Sequence, residues 1–326
     1  MIELSVKVET WPIRGAFTIS RGSRTEAHVV VVELRDGPHV GRGECVPYAR
    51  YGETVESVVA QIDGQTSALS GGLDSDRLQD ALPAGAARNA LDCAFWDLDA
   101  KCAGDPAWML AGLSGLQPLT TAFTLSLDTP EKMQLAAKEN AGRPLLKLKL
   151  SGVDDLARVE AVRAGAPNAA IIVDANEGWS VNAYRELAPK LGSLGVEMIE
   201  QPLPAGEDQA LGEIQRPVPV CADESCHDRG SLAALKGRYD LVNIKLDKTG
   251  GLTEALALKG DAERQGFGVM VGCMLGTSLA MAPAHLVAQG VSVVDLDGPL
   301  LLLEDRVPSL RFDGSTVFPP DPALWG

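Results

Sequence analysis

The chain has 326 residues, 45% of them hydrophobic and 22% charged, with a net charge of −15. That length holds one large core plus a smaller domain, whereas so acidic a surface repels phosphate backbones and anionic lipid, excluding nucleic-acid and membrane partners. MIELSVKVETWPI has no basic, then apolar, leader pattern, and no apolar run reaches the roughly 18 residues of a membrane span.

Residues 1–50 read as strands: Ala27–Asp36 is β-branched and apolar, and Val40–Cys45 follows a Gly-Pro turn. Helical patterns come next, over Thr54–Leu69 and over Ala86–Ala103, where Leu91, Ala94, Phe95 and Leu98 recur on one face. Residues 1–118 thus form an α+β domain, strands first and helices after. From residue 119 short apolar strands recur at Thr121–Leu127, Leu145–Leu150, Ala170–Asn176, Val196–Pro202, Pro219–Ser225, Leu241–Asp247, Gly268–Met274 and Val291–Gly298. Helical stretches such as Asp154–Ala164 and Thr253–Gln265 lie between them. This alternation predicts an α/β fold, a parallel barrel of the TIM type over residues 119–298. The last unit has little room for a helix, which makes the barrel a modified (β/α)7β; the Pro-rich tail 299–326 is expected to return to the first domain. Six scattered cysteines (Cys45, Cys93, Cys102, Cys221, Cys226, Cys273) form no CxxC pair, which suits reduced thiols in the cytoplasm.

In such a barrel, polar residues at the C-terminal strand ends converge on one mouth. Here the ends read Lys147-Leu148-Lys149, Asp174-Ala175-Asn176, Glu200-Gln201-Pro202, Ala222-Asp223-Glu224-Ser225, Asn243-Ile244-Lys245 and Asp295-Leu296-Asp297. A charge inside an apolar strand is costly unless paired or functional, and nearly every strand carries one at the same end. Asp174, Glu200 and Asp223 come from three consecutive strands, a carboxylate set suited to a hard cation such as Mg²⁺. Side-chain alternation puts Lys147 and Lys149 on one face. Lys149 and Lys245 lie on strands half a turn apart, so they should face each other with the carboxylates between them.

Two bases on opposite sides of one carbon suit a 1,1-proton transfer. Removing a proton α to a carboxylate leaves an enediolate, whose extra charge a bound Mg²⁺ would stabilise. Neighbouring cations can lower a lysine's pKa towards neutrality, and Lys147, beside Lys149, could do this and also touch a substrate carboxylate. Lys248 reads as a solvated loop cation, and Glu224 alternates away from Asp223. The four histidines fall outside the strand-end set.

The ordered series KLK, DAN, EQP, ADES, NIKLDKTGG and DLDGP resembles the muconate-lactonizing branch of the enolase superfamily, and within it the dipeptide epimerases of the L-Ala-D/L-Glu type. The resemblance runs from SRGSR (Ser20–Arg24) and PYARYGE (Pro47–Glu53) in a capping domain to the final DxD. It implies that Lys149 and Lys245 are acid/base residues and that Asp174, Glu200 and Asp223 hold one Mg²⁺ per active site. It further implies that Asp295 and Asp297 hold the ammonium group of a small dipeptide, and that Thr124 and Cys273 contact substrate. Arg24, on the capping loop, could pair with a Glu side-chain carboxylate. Such enzymes commonly form homo-oligomers, and a role in degrading murein peptides follows by implication. Two other readings stay open: a lysine-using lyase or cycloisomerase of the same superfamily, and a non-catalytic metal-binding barrel.

Overall fold

The computed structural model describes residues 2–152 and 154–326. A long antiparallel hairpin, β1 (Glu3–Ile19) and β2 (Gly22–Asp36), is joined by β3 (His39–Cys45) into a three-stranded sheet. Its register breaks between Pro12 and Phe17, where Gly15 takes a positive φ of 78°. Alternation in β2 serves two cores at once. Val30, Val32 and Leu34 pack with Leu91, Phe95 and Leu98 of the helix Ala86–Ala103, whereas Val29 and Val31 join the core of the barrel. β3 crosses that helix so closely that a Cβ at Gly41 or Gly43 would collide with the main chain of Ala94 or Ala90.

The single helix expected over Thr54–Leu69 is instead two, Val55–Asp63 and Thr66–Ser70. Gly64 caps the first, and the Thr66 hydroxyl donates to the Asp63 carbonyl 2.7 Å away, so local capping outcompetes a glycine held in a helix interior.

Strand β4 (Leu119–Thr120) leads into eight parallel strands: β5 (Phe123–Leu125), β6 (Leu145–Lys149), β7 (Ala170–Asp174), β8 (Val196–Glu200), β9 (Val220–Ala222), β10 (Leu241–Ile244), β11 (Gly268–Val271) and β12 (Val293–Val294). They pair strictly in chain order, and the Ala122 amide donates to the Val294 carbonyl (2.8 Å) to bring the two ends together. The predicted barrel is therefore observed, with helices such as Pro130–Glu139, Val181–Ser193 and Leu252–Arg264 on its outside. After β12 only the single turn Gly298–Leu301 follows, in keeping with the truncated last unit.

The tail adds β13 (Phe312–Asp313) and β14 (Thr316–Val317), the latter paired with β4. Beyond it, the Trp325 indole donates to the Cys93 carbonyl and Arg42 donates to the carbonyls of Ala323 and Leu324.

Candidate active site

Apolar residues plug the barrel interior: Ala122, Ile172, Met198, Cys221 and Met270 pack together and leave only the C-terminal mouth for polar groups. Register then aligns the charges. Lys149 pairs with Asp174 and Asp174 with Glu200 across β6, β7 and β8, while Asp223 lies two residues beyond Cys221, the register partner of Glu200. Leu146 and Leu148 face the other way into the hydrophobic core, which turns both Lys147 and Lys149 inward.

Asp174, Glu200 and Asp223 each offer an oxygen within 4.8 Å of the others, and all three are buried. Cations and amides surround them. Lys147 Nζ lies 2.6 Å from Glu200 Oε2, 2.7 Å from Asp295 Oδ2 and 3.6 Å from Asp174 Oδ2. Lys149 meets Asp174 Oδ2 at 2.6 Å, and Lys245 meets Asp223 Oδ2 at 2.7 Å. Asn243 donates to Glu200 Oε1 (2.7 Å), and the Asn176 amide donates to Asp174 Oδ1 (2.9 Å). Buried oxygen donors so close together, from three neighbouring strands, fit a hard divalent cation.

Electrostatics follows from this crowding. Burial opposes ionisation of Asp174, but Lys149 and Lys147 outweigh it and hold the carboxyl below its usual range. Asp223 is depressed further by Lys245 and Lys248 against the same burial penalty. Glu200 goes up, because burial is reinforced by Asp174. Burial would lower Lys147 and Lys245, yet both are held well above the usual lysine range, by Asp295 and Glu200 for the first and Asp223 and Glu200 for the second. Around Lys147 and Lys245, carboxylates therefore outweigh the neighbouring cations.

Above this layer lies a cavity of about 460 Å³, with Lys149, Asp223, Lys245 and Cys273 on its barrel side and Ile19, Arg24, Tyr48 and Tyr51 on its other side. Lys147, Thr124, Asp295 and Asp297 sit deeper, all at 5% exposure or less. Strand β12 ends at Val294, and after the Asp295 amide donates to the Val271 carbonyl (2.9 Å) the chain runs irregularly rather than as the expected longer strand. The two aspartates still converge: Asp297 Oδ2 accepts the Thr124 amide at 2.6 Å, while Asp295 Oδ1 has no hydrogen-bond partner among the described residues. Burial, then the neighbouring Asp295, pushes the Asp297 carboxyl up to about 7.

Three features of the site depart from the sequence reading or escape it. Lys248 is not solvated; it is 2% exposed and ion-paired to Asp223 Oδ1 at 2.6 Å. Arg24 lies within β2 opposite Phe17, with its guanidinium 5.8 Å from the Tyr48 ring centre, rather than on a loop. Arg21, which the sequence reading passed over, pins the hairpin tip to the barrel: it donates to the Asn176 carbonyl (3.0 Å), Glu177 (3.2 Å), Tyr48 Oη (3.1 Å) and Glu224 (2.8 Å). Asn176 and Glu177, at the receiving end, both adopt positive φ (44° and 65°), a strained turn of the kind that clusters at functional sites. The signal for Arg21 was present in SRGSR, but sequence alone does not say which arginine turns inward.

Two family models divide the chain between them. Residues 1–112 match the mandelate racemase/muconate lactonizing enzyme N-terminal domain, and residues 132–299 match the enolase C-terminal domain-like family. The chain belongs to the mandelate racemase/muconate lactonizing enzyme family. Among its relatives in that family, the L-Ala-D/L-Glu epimerase of Escherichia coli (strain K12) is 51% identical over 94% of this chain and 97% of its own length. An N-acetyl-D-glutamate racemase of Pseudoalteromonas sp is 46% identical over 91% and 95%. A crystal structure of an enolase family member from Agrobacterium tumefaciens with homology to dipeptide epimerases, bound to sodium and L-Ala-L-Glu, superposes with a TM-score of 0.99 at 54% identity over the whole of both chains. As in the sequence reading, no helix among the described residues of this family member is long and apolar enough to cross a membrane.

Proposed function

We propose that this chain is a dipeptide epimerase that inverts the Cα of the C-terminal residue of L-Ala-D/L-Glu by a two-base 1,1-proton transfer. The observation that carries this reading is a pair of lysines, Lys149 and Lys245, that open on one cavity from two different carboxylates of a single oxygen cluster. One lysine abstracts the Cα proton from its side, and the other returns a proton to the opposite face of the enediolate. Asp174, Glu200 and Asp223 would hold one Mg²⁺, which supplies positive charge to stabilise the developing enediolate and to bring nearby lysine pKa values down. Lys147, held between Glu200 and Asp295, would touch the substrate carboxylate. Asp295 and Asp297 take the dipeptide's ammonium, for which the free Asp295 Oδ1 is an acceptor. Thr124 and Cys273 complete the substrate walls.

In this reading residues 1–118, completed by 299–326, cap a catalytic barrel of 119–298. The enzyme would act as a homo-oligomer in the cytoplasm, on dipeptides released from murein. The paired aspartates favour a free ammonium over the N-acyl group that an N-acetyl-D-glutamate racemase must accept. Proton NMR of the enzyme with Mg²⁺ and L-Ala-D-Glu in D₂O should show loss of the Glu Cα–H signal and growth of the second diastereomer. Turnover of N-acetyl-D-glutamate without turnover of the dipeptide would reject the reading.

Two predictions test the substrate contacts. Because the Asp297 carboxyl titrates at about 7, it is anionic above that pH and neutral below it. An ammonium ligand should therefore be lost on acidification, and kcat/KM should fall up to about tenfold per pH unit below 7. A flat profile from pH 5.5 to 8 would exclude Asp297 as the ammonium partner. Arg24→Met should raise KM for L-Ala-D-Glu by about 10-fold or more, the loss of one charge-assisted pair, and leave L-Ala-L-Leu nearly unaffected. Equal losses on both dipeptides would mean that Arg24 does not read the side chain.

A further inference from the structure

We infer that Lys248 is a positioning residue that fixes Asp223 for metal binding, an inference that rests on the assignment of Asp223 as a metal ligand above. Lys248 stands on the single helical turn Leu246–Thr249, one turn after Lys245, and both ammonium groups approach the same carboxylate. They divide its oxygens. Lys245 meets Oδ2 and lines the cavity; Lys248 meets Oδ1 and does not.

The ammonium of Lys248 carries three N–H donors, and the site supplies three acceptors: Asp223 Oδ1 at 2.6 Å, the Asp223 carbonyl at 2.6 Å and the Asn243 carbonyl at 2.9 Å. No proton is left over for a substrate, which separates its role from that of Lys245. Gripping both the side chain and the main chain of one residue removes the torsional freedom between them. The carboxylate is then fixed with Oδ1 on Lys248 and Oδ2 towards Lys245, the lysine that lines the cavity.

The turn that carries Lys248 is itself held rigidly by the first domain. Asp247 accepts the Val46 amide (3.0 Å) and Asn89 Nδ2 (2.8 Å), and Arg88 donates to the carbonyls of Thr249 (2.7 Å) and Gly250 (3.1 Å). Gly250 and Gly251, at φ 75° and 117°, let this close approach occur, since a Cβ at either would strike Arg88 or Asp92. The run Lys245–Gly251 thus works as a bracket that presents one lysine to the cavity and hides the other behind Asp223.

A lysine that only stapled the ends of β9 and β10 would affect stability and nothing else. Calorimetric titration of Mg²⁺ into folded, substrate-free protein separates the two roles. Lys248→Met should bind Mg²⁺ about 10–100-fold more weakly, the usual loss when a partner that orients a ligand is removed, while saturating Mg²⁺ restores most of kcat. Lys248→Gln, which keeps a donor for the carbonyls, should show the same direction and serves if the Met variant does not fold. Arg216→Met is the control: Arg216 staples the Leu211 and Gly237 carbonyls at the far end of β10, so this variant should melt earlier yet bind Mg²⁺ as the wild type does. Unchanged Mg²⁺ affinity in both Lys248 variants, or an equal loss in Arg216→Met, would overturn the inference. Mg²⁺ binding that survives Asp223→Ala in an otherwise unchanged protein would instead overturn the ligand assignment itself.

Discussion

Lys245→Met is expected to slow inversion about 10²–10⁴-fold in both directions, while Cα–H exchange persists for one epimer only. Inversion needs both lysines, because the proton must leave one face and return to the other. Exchange with retention needs only the lysine on the face where the proton starts. With Lys245 gone, Lys149 still reaches the proton of whichever epimer presents it on that side, and solvent deuterium returns from the same ammonium. Lys149→Met should give the mirror-image pattern, with exchange confined to the other epimer. Proton NMR in D₂O, run separately on L-Ala-L-Glu and L-Ala-D-Glu, reads both rates directly. Asp223 keeps its pair with Lys248 when Lys245 is removed, so its buried charge is not left without a cation. If each single variant exchanged both epimers equally, a two-base mechanism would be excluded.

The strand-end residues were legible in the sequence for a specific reason. Within strands as apolar as Leu145–Lys149 or Ala170–Asp174, a charge stands out, and period-2 alternation says which way it faces. The barrel follows from the recurrence of those strands, whereas the boundary at Gly64 depended on a capping bond that no periodicity reveals. Lys248 was misread because, in sequence, it follows the strand like any loop cation. Only the helical turn beyond Lys245, drawn tight by Arg88 and Asn89 from a helix more than a hundred residues earlier, carries it under Asp223. Arg21 and Arg24 pose the same difficulty on a smaller scale. They are three residues apart in one polar tip, and what distinguishes them is that Asn176, Glu177 and Glu224 converge on Arg21.

Arg306→Met should be the most damaging change outside the site, costing about 3–5 kcal/mol of stability in urea denaturation. Its partner Glu44 lies at the end of β3, 262 residues away in sequence and 1% exposed. There the carboxylate accepts the Thr277 amide (2.7 Å), the Thr277 hydroxyl and Arg306 Nη2 (2.6 Å), and Arg306 extends the network to Glu9 (2.9 Å). Removing the guanidinium strands a buried negative charge between the hairpin sheet and the barrel's Thr277 turn. Burial already raises the Glu44 pKa in the folded protein, with Arg306 the largest counterweight, so its loss raises that pKa further. A carboxyl whose folded pKa exceeds its unfolded value binds protons first in the native state. Stability of the variant must therefore rise as pH falls through the folded pKa towards the ordinary glutamate value of 4.5. The deficit against wild type should accordingly be largest near pH 8 and shrink on acidification to pH 5. Adding Glu44→Gln to Arg306→Met should recover part of the loss at pH 8 and flatten the pH dependence, because the amide keeps an acceptor for Thr277 and carries no charge. A deficit independent of pH, or a double variant no better than the single one, would show that Arg306 acts through packing on the Trp11 ring, 5.4 Å away, and not through Glu44.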